Sequence, residues 1–224
     1  MKINFSYVLV LSFTWILTAS TCDKDCNDSG GIYEFVLPVI ITPALDTFHV
    51  GDTIYVCSEF LNLVYERVSG KEYLLDSFRF YPLSRLIKID VEESFDVLDS
   101  FEILLPEGLD YERFDASSGN EFLIGEYEYN SDSKYSLDFS FVPKSKGTFL
   151  FRQLSQLSSF EPEQEFPGYC DLGGSKGICI VNEHEDNNIH LLENSPDPHF
   201  NEWVLEKPEK RFYDLGGYAF VVVE

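Results

Sequence analysis

Apolar and polar side chains alternate most regularly at residues 135–142, YSLDFSFV, where Tyr135, Leu137, Phe139 and Phe141 fall on one side and Ser136, Asp138 and Ser140 on the other. A period of two rich in aromatics predicts a strand buried on one face. Pro143 ends the run, KSKG at 144–147 reads as a turn, and TFLF at 148–151 starts another strand, so the pair is expected to form a hairpin. Residues 32–41 form an extended apolar segment interrupted by Pro38, a placement expected at a sheet edge. Gly51 and Asp52 then turn the chain into TIYVCSEF, and GGYAFVVVE closes the sequence as a β-branched and aromatic strand.

Helical periodicity is scarce. Ser195 is placed to cap a helix with Pro196 in its first turn and Asp197 near its positive end, while Phe200, Trp203 and Val204 supply a buried stripe and Pro208 limits its length. A second short helix is read around 93–101, where Phe95, Leu98 and Phe101 share a face, before the chain turns extended at Ile103. Many strands, few helices and regularly spaced turn residues predict an all-β, two-sheet sandwich, with a loop and short-helix insertion over about 158–212 before the last strand.

The amino terminus follows a different pattern. Lys2 precedes a mostly apolar core, Val8 to Leu17, and a small-residue exit at Ala19, Ser20 and Thr21, the outline of a secretory signal. A membrane-spanning helix is the weaker reading, because residues 3–22 include seven Asn, Ser or Thr and a span needs about 20 predominantly apolar positions. The stretch ending at Cys22 resembles the lipobox of bacterial lipoproteins, in which small residues precede a cysteine that becomes acylated. Asp23, Lys24 and Asp25 resemble the charged tags that follow that cysteine in surface lipoproteins of the Bacteroidota.

Five cysteines occur, at 22, 26, 57, 170 and 179. With Cys22 assigned to a lipid, the remaining four allow three pairings in an oxidising compartment. Cys170 and Cys179 bracket DLGGSKGI, whose glycines permit a tight reversal, which favours that pair and leaves Cys26 with Cys57. The expected organisation is a signal peptide at 1–21, an acidic tether at 22–31 and one sandwich domain at 32–224.

FHVGDTIYV at 48–56, the 135–151 segment and the terminal GGYAFVVVE resemble the immunoglobulin-like β-sandwiches of secreted or lipid-anchored Bacteroidota envelope proteins. The resemblance covers about a sixth of the chain and implies a fold and an extracytoplasmic location, with no catalytic residue carried across.

Charge narrows the partners. Lys and Arg number 16 against 39 Asp and Glu, a net charge of −23, which repels nucleic-acid phosphates. Hydrophobic residues at 44% and aromatics at 16% are enough for a packed core.

The sequence contains no HExxH, GxGxxG or GxxxxGK pattern. His184, His190 and His199 lie among Glu183, Glu185, Asp186 and Asp197, but gaps of six and nine residues fit no local metal geometry and a polar loop explains them more simply. DKDCNDSGGIYE at 23–34 spaces acidic residues like a calcium loop, yet Asp28 stands where the tight turn needs glycine, so a solvated tether is the better reading. Tyr65, Tyr81, Tyr111, Tyr127, Tyr129 and Tyr169 are candidates for a sugar-stacking face, although most aromatics of a β-rich chain belong to its core or rim.

The resulting expectation is a non-catalytic binding or interaction module without cofactor or metal. It is held at the outer membrane through Cys22, or is periplasmic or secreted if cleavage falls near Ser20 and Cys22 is not acylated, and it meets an envelope protein or glycan. The alternatives are a carbohydrate-active or other hydrolytic enzyme, with its site between the Cys170–His199 region and the sandwich, and a structural subunit of an envelope assembly.

Overall fold

The alternation at 135–141 becomes a strand whose four apolar side chains, Tyr135, Leu137, Phe139 and Phe141, are all buried. A computed structural model describes residues 33–76, 78–92, 96–107, 110–115, 120–123, 125–157 and 175–224. Cys22, Cys26, Cys170, Tyr169 and all of the calcium-like segment before Tyr33 lie outside the described residues.

In chain order the strands are β1 (Glu34–Thr42), β2 (Thr47–His49), β3 (Ile54–Leu61), β4 (Leu63–Glu66), β5 (Lys71–Leu74), β6 (Phe80–Lys88) and β7 (Phe101–Leu104). They continue as β8 (Glu112–Asp115), β9 (Asn120–Leu123), β10 (Glu128–Tyr129), β11 (Lys134–Pro143), β12 (Gly147–Leu157), β13 (Lys176–Val181) and β14 (Gly217–Val223). One sheet runs β5-β4-β1-β13-β12-β6-β9-β8, with β14 beside the first half of β12 and β2 beyond it. The second runs β1-β3-β11, and β10 and β7 share the far side of β11. Strand β1 joins them: it pairs in parallel with β13 through Val39, then antiparallel with β3 from Ile40 to Thr42. A strand that changes sheets in this way makes a corner of the sandwich, and the fold is an all-β, immunoglobulin-like β-sandwich.

The inner faces meet through aromatic rings. Phe141 of the second sheet stacks on Phe151 of the first at 5.4 Å between centroids, and Phe101 meets Phe149 edge-on at 4.9 Å. Such pairs add roughly 0.5–1.5 kcal/mol each beyond the area they bury.

This packing corrects the hairpin reading of 135–151. β11 and β12 do not pair; KSKG carries the chain from one sheet to the other, with Lys144 N–H donating to the Ser100 carbonyl. Each strand buries its aromatics on one face, and those faces oppose each other across the core, so the strands belong to different layers.

Pro38 corrects a second expectation, since β1 is interior to the first sheet. On its second-sheet side β1 touches β4 only at Phe35 and meets β3 only from Ile40, so Pro38 occupies a gap in the ladder where no N–H is required. Its carbonyl there accepts a hydrogen bond from Ser58 Oγ at 2.6 Å.

The insertion before β14 also contains more strand than its sequence suggested. Lys176–Val181 forms β13, buried between β1 and β12, where Gly177 lies so close to Leu37 and Ser155 that a Cβ would collide with both. The rest of the described stretch before β14 forms helical turns at Asn182–His184, Ile189–Asn194 and His199–Val204, the short helix α1 (Pro208–Arg211) and a turn at Tyr213–Leu215. Those from Ile189 onward cover the outer face of the first sheet, where Leu192, Phe200, Val204 and Phe212 pack on Ile87, Ile89, Leu150 and Ala219 as a separate apolar layer.

The 199–204 turn has π-type, wider bonding, which stacks positions four apart better than positions three apart. Phe200 and Val204 are accordingly buried, whereas Trp203 is 46% exposed, with the Arg211 guanidinium 4.0 Å from its ring centroid. Ser195 acts one turn earlier than a helix cap: its Oγ accepts the Asp197 N–H at 3.2 Å. Around 93–101, the described part is a single tight turn, Val97–Ser100, which buries Val97 and Leu98.

Candidate functional site

The outer face of the second sheet has no covering layer among the described elements, and its ladder is interrupted there. On the far side of β11, β10 pairs Glu128 with Ser136, and β7 pairs Leu104 with Ser140. Asn130 N–H donates to the Lys134 carbonyl at 3.0 Å and Lys144 N–H to the Ser100 carbonyl at 2.7 Å, so even-numbered residues of β11 direct their main-chain groups to this side. Asp138 is the even-numbered residue left between the two partners. Continuing the β7 register would set Pro106 against it, and proline has no N–H to donate.

Two contiguous depressions flank this interruption and share Pro106 and Asp138. The larger, of about 600 Å³, is lined by Phe78, Arg79, Glu107, Glu126, Tyr127, Glu128, Tyr129, Ser136 and Leu137 as well. The smaller, of about 290 Å³, adds Tyr55, Cys57, Leu104, Leu105 and Ser140. Tyr55, 56% exposed, and Ile40, 55% exposed, extend an apolar rim across β3 and β1. Among the described residues Arg79 is the one cation lining the larger depression, and it lies 3.6 Å from Glu126.

Cys57 stands directly opposite Asp138 across the β3–β11 ladder. Burial, a hydrogen bond to the Asp138 carboxylate and the charges of Asp138 and Glu59 push its thiol up to about 11. At neutral pH it is therefore a thiol and a poor nucleophile. Beneath the cleft, Tyr127 Oη lies 3.2 Å from Ser58 Oγ and contacts the buried Cys179 thiol. Burial pushes both Tyr127 and Cys179 well up, so this chain of groups stays neutral and serves to satisfy polar atoms inside the core.

The residues singled out in the sequence are distributed as follows. Among the described residues Cys57, exposed on β3, and Cys179, buried on β13, form no disulfide, and their expected partners Cys26 and Cys170 lie outside the described residues. The three clustered histidines turn to different neighbours: His184 to Tyr213 at 6.0 Å, His190 to Asp186 at 3.5 Å, and His199 onto Trp203 at 4.7 Å. Burial and the nearby Arg152 lower the His199 pKa, the reverse of what a carboxylate-activated base requires.

Of the tyrosines, Tyr127 and Tyr129 meet in the cleft, whereas Tyr65 is exposed on β4 and Tyr111 packs against Phe122 at 5.9 Å. The insertion meets the sandwich through the second apolar layer; its outer surface carries an open depression lined by Pro198, His199, Glu202, Trp203 and Glu206. Asp138 and Pro106 were missed as site residues. Their signal is the proline two residues past the end of β7, which becomes meaningful only once β7 is known to lie beside β11.

No protein-family model matches the chain, and no curated protein is detectably similar to it. Among solved structures, the chain is similar to a non-cellulosomal cohesin from the hyperthermophilic archaeon Archaeoglobus fulgidus, at 8% identity and a TM-score of 0.27 over 87% of this chain and 93% of that one. It is also similar to a cohesin module from a Clostridium perfringens family 33 glycoside hydrolase, at 14% identity and a TM-score of 0.27 over 55% of this chain and 85% of that one. Likeness at this level says nothing about ligand or partner.

Proposed function

We propose that the chain is an exported, lipid-anchored envelope protein whose second sheet binds a partner without catalysing its conversion. The observation that carries the binding reading is the ladder interruption at Asp138, which offers a main-chain donor and acceptor inside a cleft of about 600 Å³ walled by Tyr127, Tyr129 and Phe78. Aromatic walls with a few convergent polar groups suit a ligand that has an apolar face and hydrogen-bonding edges, such as a sugar ring or an extended peptide. The carboxylates Glu107, Glu126, Glu128 and Asp138 favour a ligand that is neutral or positively charged. The leader and the small residues before Cys22 support export and acylation, and the net charge of −23 disfavours nucleic acid as partner.

Photo-crosslinking in intact cells tests the binding reading. A photoreactive phenylalanine at position 55 or 129 should give discrete adducts, protein or glycan, that vanish with Asp138→Arg and do not form from position 203. Adducts equally abundant from position 203, or unaffected by Asp138→Arg, would contradict it.

A further inference from the structure

The β4–β5 hairpin carries an apolar surface that neither core absorbs. Leu61, Leu63 and Tyr65 project outward at alternate positions and are 54%, 50% and 46% exposed. Leu74, 61% exposed, lies directly opposite Leu63, and Val68 at the hairpin tip is 67% exposed. Contiguous exposed apolar side chains of this kind mark a contact surface on an otherwise strongly charged protein.

The chain enters the sandwich beside this hairpin. Glu66 is 1% exposed, and its carboxylate accepts N–H groups from Glu34 at 2.9 Å, Val68 at 2.8 Å and Ser69 at 2.7 Å. Arg67 closes the same junction from outside, bonding Glu34 and, at 2.6 Å, Asp214. The first turn of the domain and the hairpin tip are thereby one rigid unit.

Ten residues separate Cys22 from Tyr33, a reach of at most about 40 Å over the eleven steps. We infer that the outward face of the β4–β5 hairpin rests on the lipid surface to which Cys22 is attached, an inference that depends on the lipid-anchor reading above. Short tethering at the hairpin side brings this patch to the bilayer more readily than the opposite end of the sandwich. Apolar contact would add to the attachment that acylation at Cys22 supplies. Tyr65 suits the interface, where amphipathic rings concentrate. With so acidic a chain, apolar seating on zwitterionic lipid is favoured over attraction to anionic headgroups.

The test uses full chain expressed in cells and purified from their membranes, with Tyr65→Trp as reporter and Tyr55→Trp as control on the open sheet. Both are reconstituted into phosphatidylcholine vesicles with and without brominated acyl chains, and intact mass reports acylation. If the inference holds, bromolipid removes about half of the emission contributed by position 65, as expected for side chains seated at the headgroup boundary, and spares position 55. Acylated protein with no quenching at position 65 overturns the inference and leaves the anchor standing. Absence of acyl mass overturns both. Self-association abolished by Leu63→Asp, with position 65 unquenched, would assign the patch to a second copy of the chain instead.

Discussion

The two sheets of this sandwich share one aromatic core but differ on their outer faces. Ile87, Ile89, Leu150 and Ala219 of the first sheet are buried under Leu192, Phe200, Val204 and Phe212. The corresponding face of the second sheet leaves Ile40, Tyr55 and Leu104 exposed and interrupts its ladder at Asp138. Burial on both faces explains why GYAFVVV of β14 lacks alternation while YSLDFSF of β11 shows it. Among the described residues, helical turns cover one sheet and leave the outer face of the other open, so the cost of substitution should differ between the two faces.

Substitutions on the two faces should therefore differ most in their cost. Phe212→Ala in the covered layer is expected to destabilise by about 3–5 kcal/mol, while Tyr55→Ala on the open face stays within about 0.5 kcal/mol in urea unfolding. Comparable costs at both positions would erase the distinction.

Glu66→Gln should cost about 1.5–3 kcal/mol, because one buried oxygen that accepts N–H groups becomes a donor. Burial pushes the Glu66 carboxyl up, but the N–H donations from Glu34, Ser69 and Val68 outweigh it and hold its pKa below the ordinary 4.5. A depressed carboxyl contributes stability that is present above about pH 4.5 and lost as pH falls through the folded value. The gap between wild type and Glu66→Gln should therefore close below that pH, and a gap that persists into stronger acid would rule out the carboxylate as its source.

Ser58→Ala, which strips the Pro38 carbonyl and Tyr127 hydroxyl of a shared partner, should cost about 1–2 kcal/mol. The smallest effect is chemical. Burial keeps the Cys57 thiol high whatever its neighbours do, but Asp138→Asn removes the next contribution and should speed alkylation at pH 8 by about threefold to tenfold. An unchanged rate would show that the carboxylate does not face the thiol.

Side-chain alternation made β11 and β3 legible, β-branched and aromatic composition did so for β14, and turn residues marked where the strands end. Pairing was less accessible. Nothing local distinguishes a KSKG turn within a sheet from one between sheets, because the deciding fact is that Phe141 and Phe151 meet face to face across the core. KGICIV was concealed as a strand by its glycine, which the sheet requires because Leu37 and Ser155 press on position 177. The cleft was the least visible feature, since Asp138 and Pro106 lie 32 positions apart in sequence and acquire meaning only through the register of β7 on β11. The stripe at 200–204 was legible at two of its three positions, and Trp203 escaped because the turn is wider than an α-helix.

Residue-resolved hydrogen exchange of the free protein tests the open ladder most directly. The Asp138 amide should exchange about a hundredfold or more faster than the Ser136 and Ser140 amides on either side of it, while Leu150 in the covered sheet exchanges near the global unfolding limit. Protection of Asp138 equal to that of its neighbours would mean that the ladder is closed and the proposed binding face does not exist.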